Sequence, residues 1–197
     1  MDCKKDLKVI NNIMPKMDVF SHGIWTGILC KIANKKIKKK LNLWLSVFFG
    51  VFPDVFSFAM LFIWLISQIT FGNLGFKDMP KLDETEPAVQ DKLFIFDLTS
   101  TLYSLSHSLF VFLIVFLIVT LILKQPLLEM LGWLFHIIID IPTHSYKFYP
   151  TPFLWPFSSW KFNGISWGTP WFMILNVSAI VIMILVLRKN GWLKKVI

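Results

Sequence analysis

Residues 132–144 read GWLFHIIIDIPTH, a run that places two histidines and an aspartate in a segment otherwise apolar enough for a lipid bilayer. On a helix, His136 and Asp140 are four residues apart and project from the same face, about one turn from each other. Two ligands on one helical face can share a metal ion. Pro142 lacks a backbone N–H and disfavours helical geometry in the preceding residue. We therefore expect the helix to end or kink there, with His144 at its C-terminal end.

The composition of the chain is that of an integral membrane protein. Of its 197 residues, 55% are apolar and 16% are charged, and the mean hydropathy is +0.63, which is too apolar for an ordinary soluble domain. The net charge of +8 suits a nucleic-acid ligand, but the basic residues cluster at the ends of apolar segments. That clustering is typical of cytoplasmic membrane loops. We predict a multi-pass protein of the inner (cytoplasmic) membrane that binds no nucleic acid.

The apolar segments predict an all-α fold, a polytopic bundle of about four to five membrane helices. Residues 1–17 are expected to form a basic, amphipathic N-terminal segment at the membrane surface, and residues 18–197 a single membrane-embedded domain. Within that domain, residues 72–92 form a polar outer loop. Residues 145–165, rich in aromatic residues and prolines, form a re-entrant loop at the membrane interface. The predicted helices cover residues 18–33, 41–71, 99–123, 127–141 and 167–187.

The first of these helices is short for a full span, and residues 99–123 make the most regular span of the set. We expect Pro53 to kink the second helix near mid-membrane, directly before Asp54. Lysines at 31–40 and 124 and basic residues at 188–195 are expected to lie on the cytoplasmic side. Both long loops are then placed outside.

With this topology, the polar membrane residues fall at one depth, between the midplane and the outer leaflet. A single buried histidine is most often only a hydrogen-bonded core residue. Agreement in depth among all four histidines and two carboxylates instead indicates a shared metal or catalytic site. The candidate metal ligands are His22, Asp54, His107, His136 and Asp140, and His144 lies just above them.

Imidazole and carboxylate ligands suit Zn²⁺ first, with Mn²⁺ or Fe²⁺ as alternatives, and more than four of them would allow a two-metal centre. Hydroxyl groups flank the histidines and are expected to fix their tautomers. These hydroxyls belong to Ser21, Ser106, Ser108 and Thr143.

The polar motifs follow one another in a characteristic order: Ser21-His22, Phe52-Pro53-Asp54, Ser106-His107-Ser108, Gly132-x3-His136-x3-Asp140, and PFLWPF at 152–157. This order resembles the YdjM-type family of predicted membrane-bound metal-dependent hydrolases. The last two motifs together are fairly specific, whereas the first three are weak singly. The family pattern has Pro-Asp-x-Asp-His after the second helix, while here residues 55–57 are Val-Phe-Ser, which removes possible ligands.

The ligand order is also similar to that of zinc-dependent phospholipase C enzymes. These resemblances imply hydrolysis of a phosphoester or lipid ester by a metal-activated water. Asp18, four residues before His22, is then a candidate outer-shell carboxylate or base, and we take Asp18 and His144 as candidate catalytic residues. Membrane lipids and a small-molecule or lipid substrate are the expected partners.

Two non-enzymatic functions remain open. An ion or metal transporter also places carboxylates and histidines within the membrane, and it predicts ligands at several depths. A structural or regulatory helix bundle would use the metal only to hold its helices together. That function predicts a closed coordination sphere with no cleft to the surface.

Overall fold

The computed structural model describes residues 19–71, 94–146 and 149–192. These residues form six α-helices and a single 3₁₀ turn, Leu128–Met130, and they contain no β-strand, so the predicted all-α fold is confirmed. The N-terminal segment 1–17 and the polar loop 72–92 lie outside the described residues. The helices are α1 Val19–Lys36, α2 Leu43–Phe71, α3 Phe94–Ser106, α4 Leu109–Leu123, α5 Leu131–Thr143 and α6 Pro170–Lys189.

Two of the described helices, α2 and α6, are long and apolar enough to cross a membrane, and the bent pair α3–α4 is a third if it counts as one span. The predicted number of four to five membrane helices is not confirmed. The outward faces of α4 and α6 are nevertheless apolar, as expected for surfaces against acyl chains. Their exposed residues include Leu113, Leu117, Leu121, Ile174, Ile182 and Leu185.

Helix α2 lies at the centre of the bundle and packs against α1, α3 and α5. It continues without interruption through Pro53. Its crossing with α1 and α5 is close because two glycines face the contact. A Cβ atom at Gly50 would lie 2.3 Å from Thr26 Oγ1, and one at Gly132 would lie 2.5 Å from the carbonyl oxygen of Ser46. A side chain at either position would push the helices apart.

Residues 99–123, predicted as the most regular span, do not form one continuous helix. Helix α3 ends at Ser106 and α4 begins at Leu109, with a bend of 62° between them. The hydroxyl of Ser108 caps α4 by accepting a hydrogen bond from Val111 N at 3.2 Å. Leu109 N donates to the carbonyl oxygen of Phe153 at 3.1 Å. These partners satisfy N–H groups that an unbroken helix would bond internally, so the break is stable within the membrane domain.

Helix α5 ends at Thr143, one residue after Pro142, as predicted. His144 is extended, with φ −109° and ψ 150°. The chain later returns to this helix end, where Gly164 N donates to the His144 carbonyl at 2.8 Å and Ile165 N donates to the Pro142 carbonyl at 2.9 Å. Residues 149–169 contain no helix. The loop therefore begins and ends beside the C-terminus of α5.

Candidate metal centre

Four side chains from three helices converge in the interior of the bundle. Asp54 comes from α2, His107 follows α3, and His136 and Asp140 come from α5. One potential ligand atom of each residue lies within 4.8 Å of the others. The four side chains are at most 6% exposed. We call this group the four-ligand cluster.

The distances within the four-ligand cluster fit a common metal ion. Nε2 of His136 lies 3.1 Å from Asp140 Oδ2 and 3.1 Å from Nε2 of His107. Nε2 of His107 lies 3.2 Å from Asp140 Oδ2, and both imidazole nitrogens lie 3.6 Å from Asp54 Oδ1. A tetrahedron with ligands ~2.0–2.1 Å from its centre has edges of about 3.3–3.4 Å, and an octahedron has edges of about 3.0 Å. The observed distances of 3.1–3.6 Å include the tetrahedral edge and begin just above the octahedral one, so they suit a metal ion without selecting its identity.

The two imidazoles are held with an unprotonated nitrogen toward the cluster. Nδ1 of His136 lies 2.7 Å from the carbonyl oxygen of Gly50. Nδ1 of His107 lies 3.1 Å from the carbonyl oxygen of Tyr103 and 2.8 Å from Ser106 Oγ. Because a carbonyl oxygen only accepts hydrogen bonds, Nδ1 carries a hydrogen in both rings, and in the neutral ring Nε2 then presents a lone pair.

The cluster therefore consists of hydrogen-bond acceptors. Two imidazoles face two carboxylates, and histidine ring nitrogens are the nearest polar groups to the fully buried Asp140 carboxylate among the described residues. Buried acceptors without donors are costly, and buried anionic groups are normally paired or bound to metal. A divalent cation would meet both requirements, so the residues present fit a metal ion.

His22 and His144 lie beside the four-ligand cluster, on the other oxygen of Asp140. Nε2 of His22 is 3.0 Å from Asp140 Oδ1, and Nδ1 of His144 is 3.6 Å from the same atom. The His22 ring also packs on the ring of His136, with centroids 3.9 Å apart. The structure thus brings together every predicted site residue that it describes. Asp18 lies outside the described residues.

The hydroxyl groups that flank the histidines in the sequence make different contacts in the structure. Ser106 contacts the His107 ring, as predicted, whereas Ser108 caps α4 and the Thr143 hydroxyl donates to the carbonyl of Ile139 at 2.8 Å. Asn176 donates to Ser21 Oγ at 2.8 Å, which joins α6 to α1.

Two residues that support the cluster were missed in the sequence. The ring of Tyr103 stacks on His107, with centroids 3.9 Å apart, and its hydroxyl donates to the carbonyl of Tyr149 at 2.9 Å. Tyr103 precedes His107 by four residues, so the helical spacing used for His136 and Asp140 would have found it. The carbonyl of Gly50 had no such signal, because a backbone oxygen carries none in the sequence.

Comparisons with known proteins give one match. None of the curated proteins and none of the solved structures compared with the chain matches it significantly. The family model described as YdjM inner membrane protein matches residues 17–197 and so covers all four cluster residues. The chain therefore belongs to the YdjM inner membrane protein family.

Proposed function

We propose that this chain is a membrane-bound metal-dependent hydrolase whose four-ligand cluster holds a divalent ion, Zn²⁺ first and Mn²⁺ or Fe²⁺ as alternatives. One observation carries the proposal: two oriented imidazoles and two carboxylates from three parts of the chain meet in one buried cluster, with ligand atoms within 4.8 Å of one another. In such a site, a divalent ion supplies Lewis-acid polarisation of an ester and acidification of water.

The residues around the cluster have separable roles in this proposal. The carbonyls of Gly50 and Tyr103 hold the two imidazoles in their ligand tautomers. Asp140 faces the cluster with Oδ2 and faces His22 with Oδ1, so it also orients His22. His144 follows the last turn of α5, where the aromatic loop begins. We propose that His144 assists proton transfer at that end of the site and that Asp18 is a further general base.

The substrate we propose is a phosphoester or a lipid ester. The support is the setting of the site, because the polar cluster lies inside a bundle whose apolar exterior contacts molecules that partition into membranes. Helices α1 and α6 both end in basic residues, Lys35 and Lys36 in one and Arg188 and Lys189 in the other. The positive-inside rule then favours these ends on the cytoplasmic face and the cluster in the outer half of the inner membrane.

Metal content of the detergent-purified protein tests the proposal. We expect the wild type to retain a divalent metal under chelator-free purification and both Asp54→Asn and His136→Ala to lose it, because each removes a ligand from a different helix. Asp97→Asn is the matched control, since this carboxylate is exposed on α3. Metal-loaded wild type should then hydrolyse phosphoester or carboxylester lipids in mixed micelles. A wild type free of metal would refute the proposal.

A closed structural metal site is the second candidate, and the complete burial of the ligands favours it. It predicts stoichiometric metal, a large loss of thermal stability on chelation, and no hydrolysis of any ester by the loaded protein. A transporter is less well supported, because the described histidines and membrane carboxylates gather at one level and do not form a path across the bundle.

A further inference from the structure

A groove of 590 Å³ lies between α1, α2 and α6, apart from the four-ligand cluster. Its walls are apolar, with residues such as Gly27 on α1, Val47 on α2 and Leu187 on α6. Lys31 is the one charged residue among those that line it. None of the four cluster residues lines the groove, so its occupant does not need to bind the metal centre.

The basic ends of two helices meet at the same end of this groove. Asn176 of α6 accepts a hydrogen bond from Trp25 Nε1 at 2.9 Å and donates to Ser21, so it lies level with the first half of α1. Leu187 is about 16 Å further along α6 at ~1.5 Å per residue. Since Leu187 still lines the groove, it must lie at the Lys31 end, and Arg188 follows directly.

Positive charge at this end has no anionic partner among the described residues. Lys31 is half-buried, and Lys35, Arg188 and Lys189 are exposed. The ion pairs within the described ranges all involve histidine, and none includes these four residues. A ligand that complements the groove therefore has an apolar chain and an anionic head.

We propose that the groove binds an anionic phospholipid, with its phosphate at Lys31 and Arg188 and an acyl chain extended toward Val19. The groove volume lies within the ~300–1,000 Å³ range of ligand sites. From Val19 to Lys31 the helix rises about 18 Å, close to the ~15 Å hydrocarbon depth of one leaflet. The inference is independent of hydrolysis, because the lipid is a ligand held on the basic side of the protein.

Native mass spectrometry of the full chain tests the binding. The protein is released from micelles that contain equal amounts of phosphatidylglycerol and phosphatidylcholine with identical acyl chains. We expect the wild type to retain phosphatidylglycerol preferentially. Lys31→Gln should lower the ratio of bound phosphatidylglycerol to phosphatidylcholine about fivefold, the factor that corresponds to ~1 kcal/mol per basic residue near an anionic surface. Lys124→Gln, an exposed lysine at the end of α4, is the matched control and should leave the ratio unchanged.

A second variant tests the apolar part of the groove. A Cβ atom at Gly27 would lie 3.4 Å from Val47 Cγ2, which is ordinary contact, so Gly27→Leu should place its larger side chain in the groove. We expect it to lose both lipids while keeping the helical circular dichroism and the elution volume of the wild type. Equal retention of both lipids by the wild type, or an equal effect of Lys124→Gln and Lys31→Gln, would overturn the proposal. If Gly27→Leu fails to fold, the comparison of Lys31→Gln with Lys124→Gln tests the proposal by itself.

Discussion

Replacement of Gly132 by alanine tests whether the four-ligand cluster depends on helix packing one turn away. The new Cβ atom would lie 2.5 Å from the Ser46 carbonyl oxygen, where ordinary contact begins at 3.4 Å. Helix α5 must therefore move from α2 by about 0.9 Å, an overpacking that costs ~1–3 kcal/mol. His136 lies one turn further on the same face, so its Nδ1–Gly50 distance of 2.7 Å would lengthen to about 3.6 Å, beyond hydrogen-bond range.

Without that hydrogen bond, neither the tautomer nor the orientation of the His136 ring is fixed. We expect metal affinity to fall about 10–100-fold, the usual effect of removing an outer-shell partner. Competition with a chromophoric chelator measures the affinity in detergent. Gly27→Ala is the matched control, because its Cβ atom meets Val47 at 3.4 Å and needs no helix movement. Wild-type affinity in Gly132→Ala would refute the link between this helix crossing and the metal centre.

Three further changes probe the surroundings of the cluster. Tyr103→Phe removes the hydrogen bond to the Tyr149 carbonyl and keeps the ring on His107, so thermal unfolding should show a loss of ~1 kcal/mol with unchanged metal content. Metal loss in this variant would contradict a purely structural role of the hydroxyl. Ser57→Ala removes a fully buried hydroxyl that donates to the Pro53 carbonyl and contacts Ser106 Oγ, and we expect a loss of ~1–2 kcal/mol in the same assay. An unchanged melting temperature would count against this network. Chelation should lower the melting temperature of the wild type but not that of Asp54→Asn, because only the wild type starts with metal. Equal shifts in the two proteins would point to an effect of the chelator itself.

Spacing within single helices was the most reliable guide in the sequence. His136 and Asp140 project from one face in any α-helix, and the structure places their ligand atoms 3.1 Å apart. The depth comparison also grouped Asp54 and His107 with this pair, and the structure brings the ligand atoms of all four residues within 4.8 Å of one another. The end of α5 one residue after Pro142 followed from the missing N–H of proline.

Features that depend on distant backbone atoms were not predictable in this way. The break between α3 and α4 needs the carbonyl of Phe153 as a partner for Leu109 N, and that carbonyl comes from the aromatic loop. Asp140 also faces one set of histidines with one carboxylate oxygen and a second set with the other oxygen. Helical periodicity specifies neither of them.

The histidine–aspartate interior also determines the register of the bundle. Apolar side chains gain little by packing on one another when the surroundings are acyl chains, so they discriminate weakly between alternative alignments of two helices. A slide of α5 along α2 by one turn, about 5.4 Å, would exchange one set of apolar contacts for a similar one. It would also remove His136 from the Gly50 carbonyl and Asp140 from the imidazole of His107. Polar groups that are satisfied in one alignment only thus select a single arrangement from several that the apolar surface would tolerate.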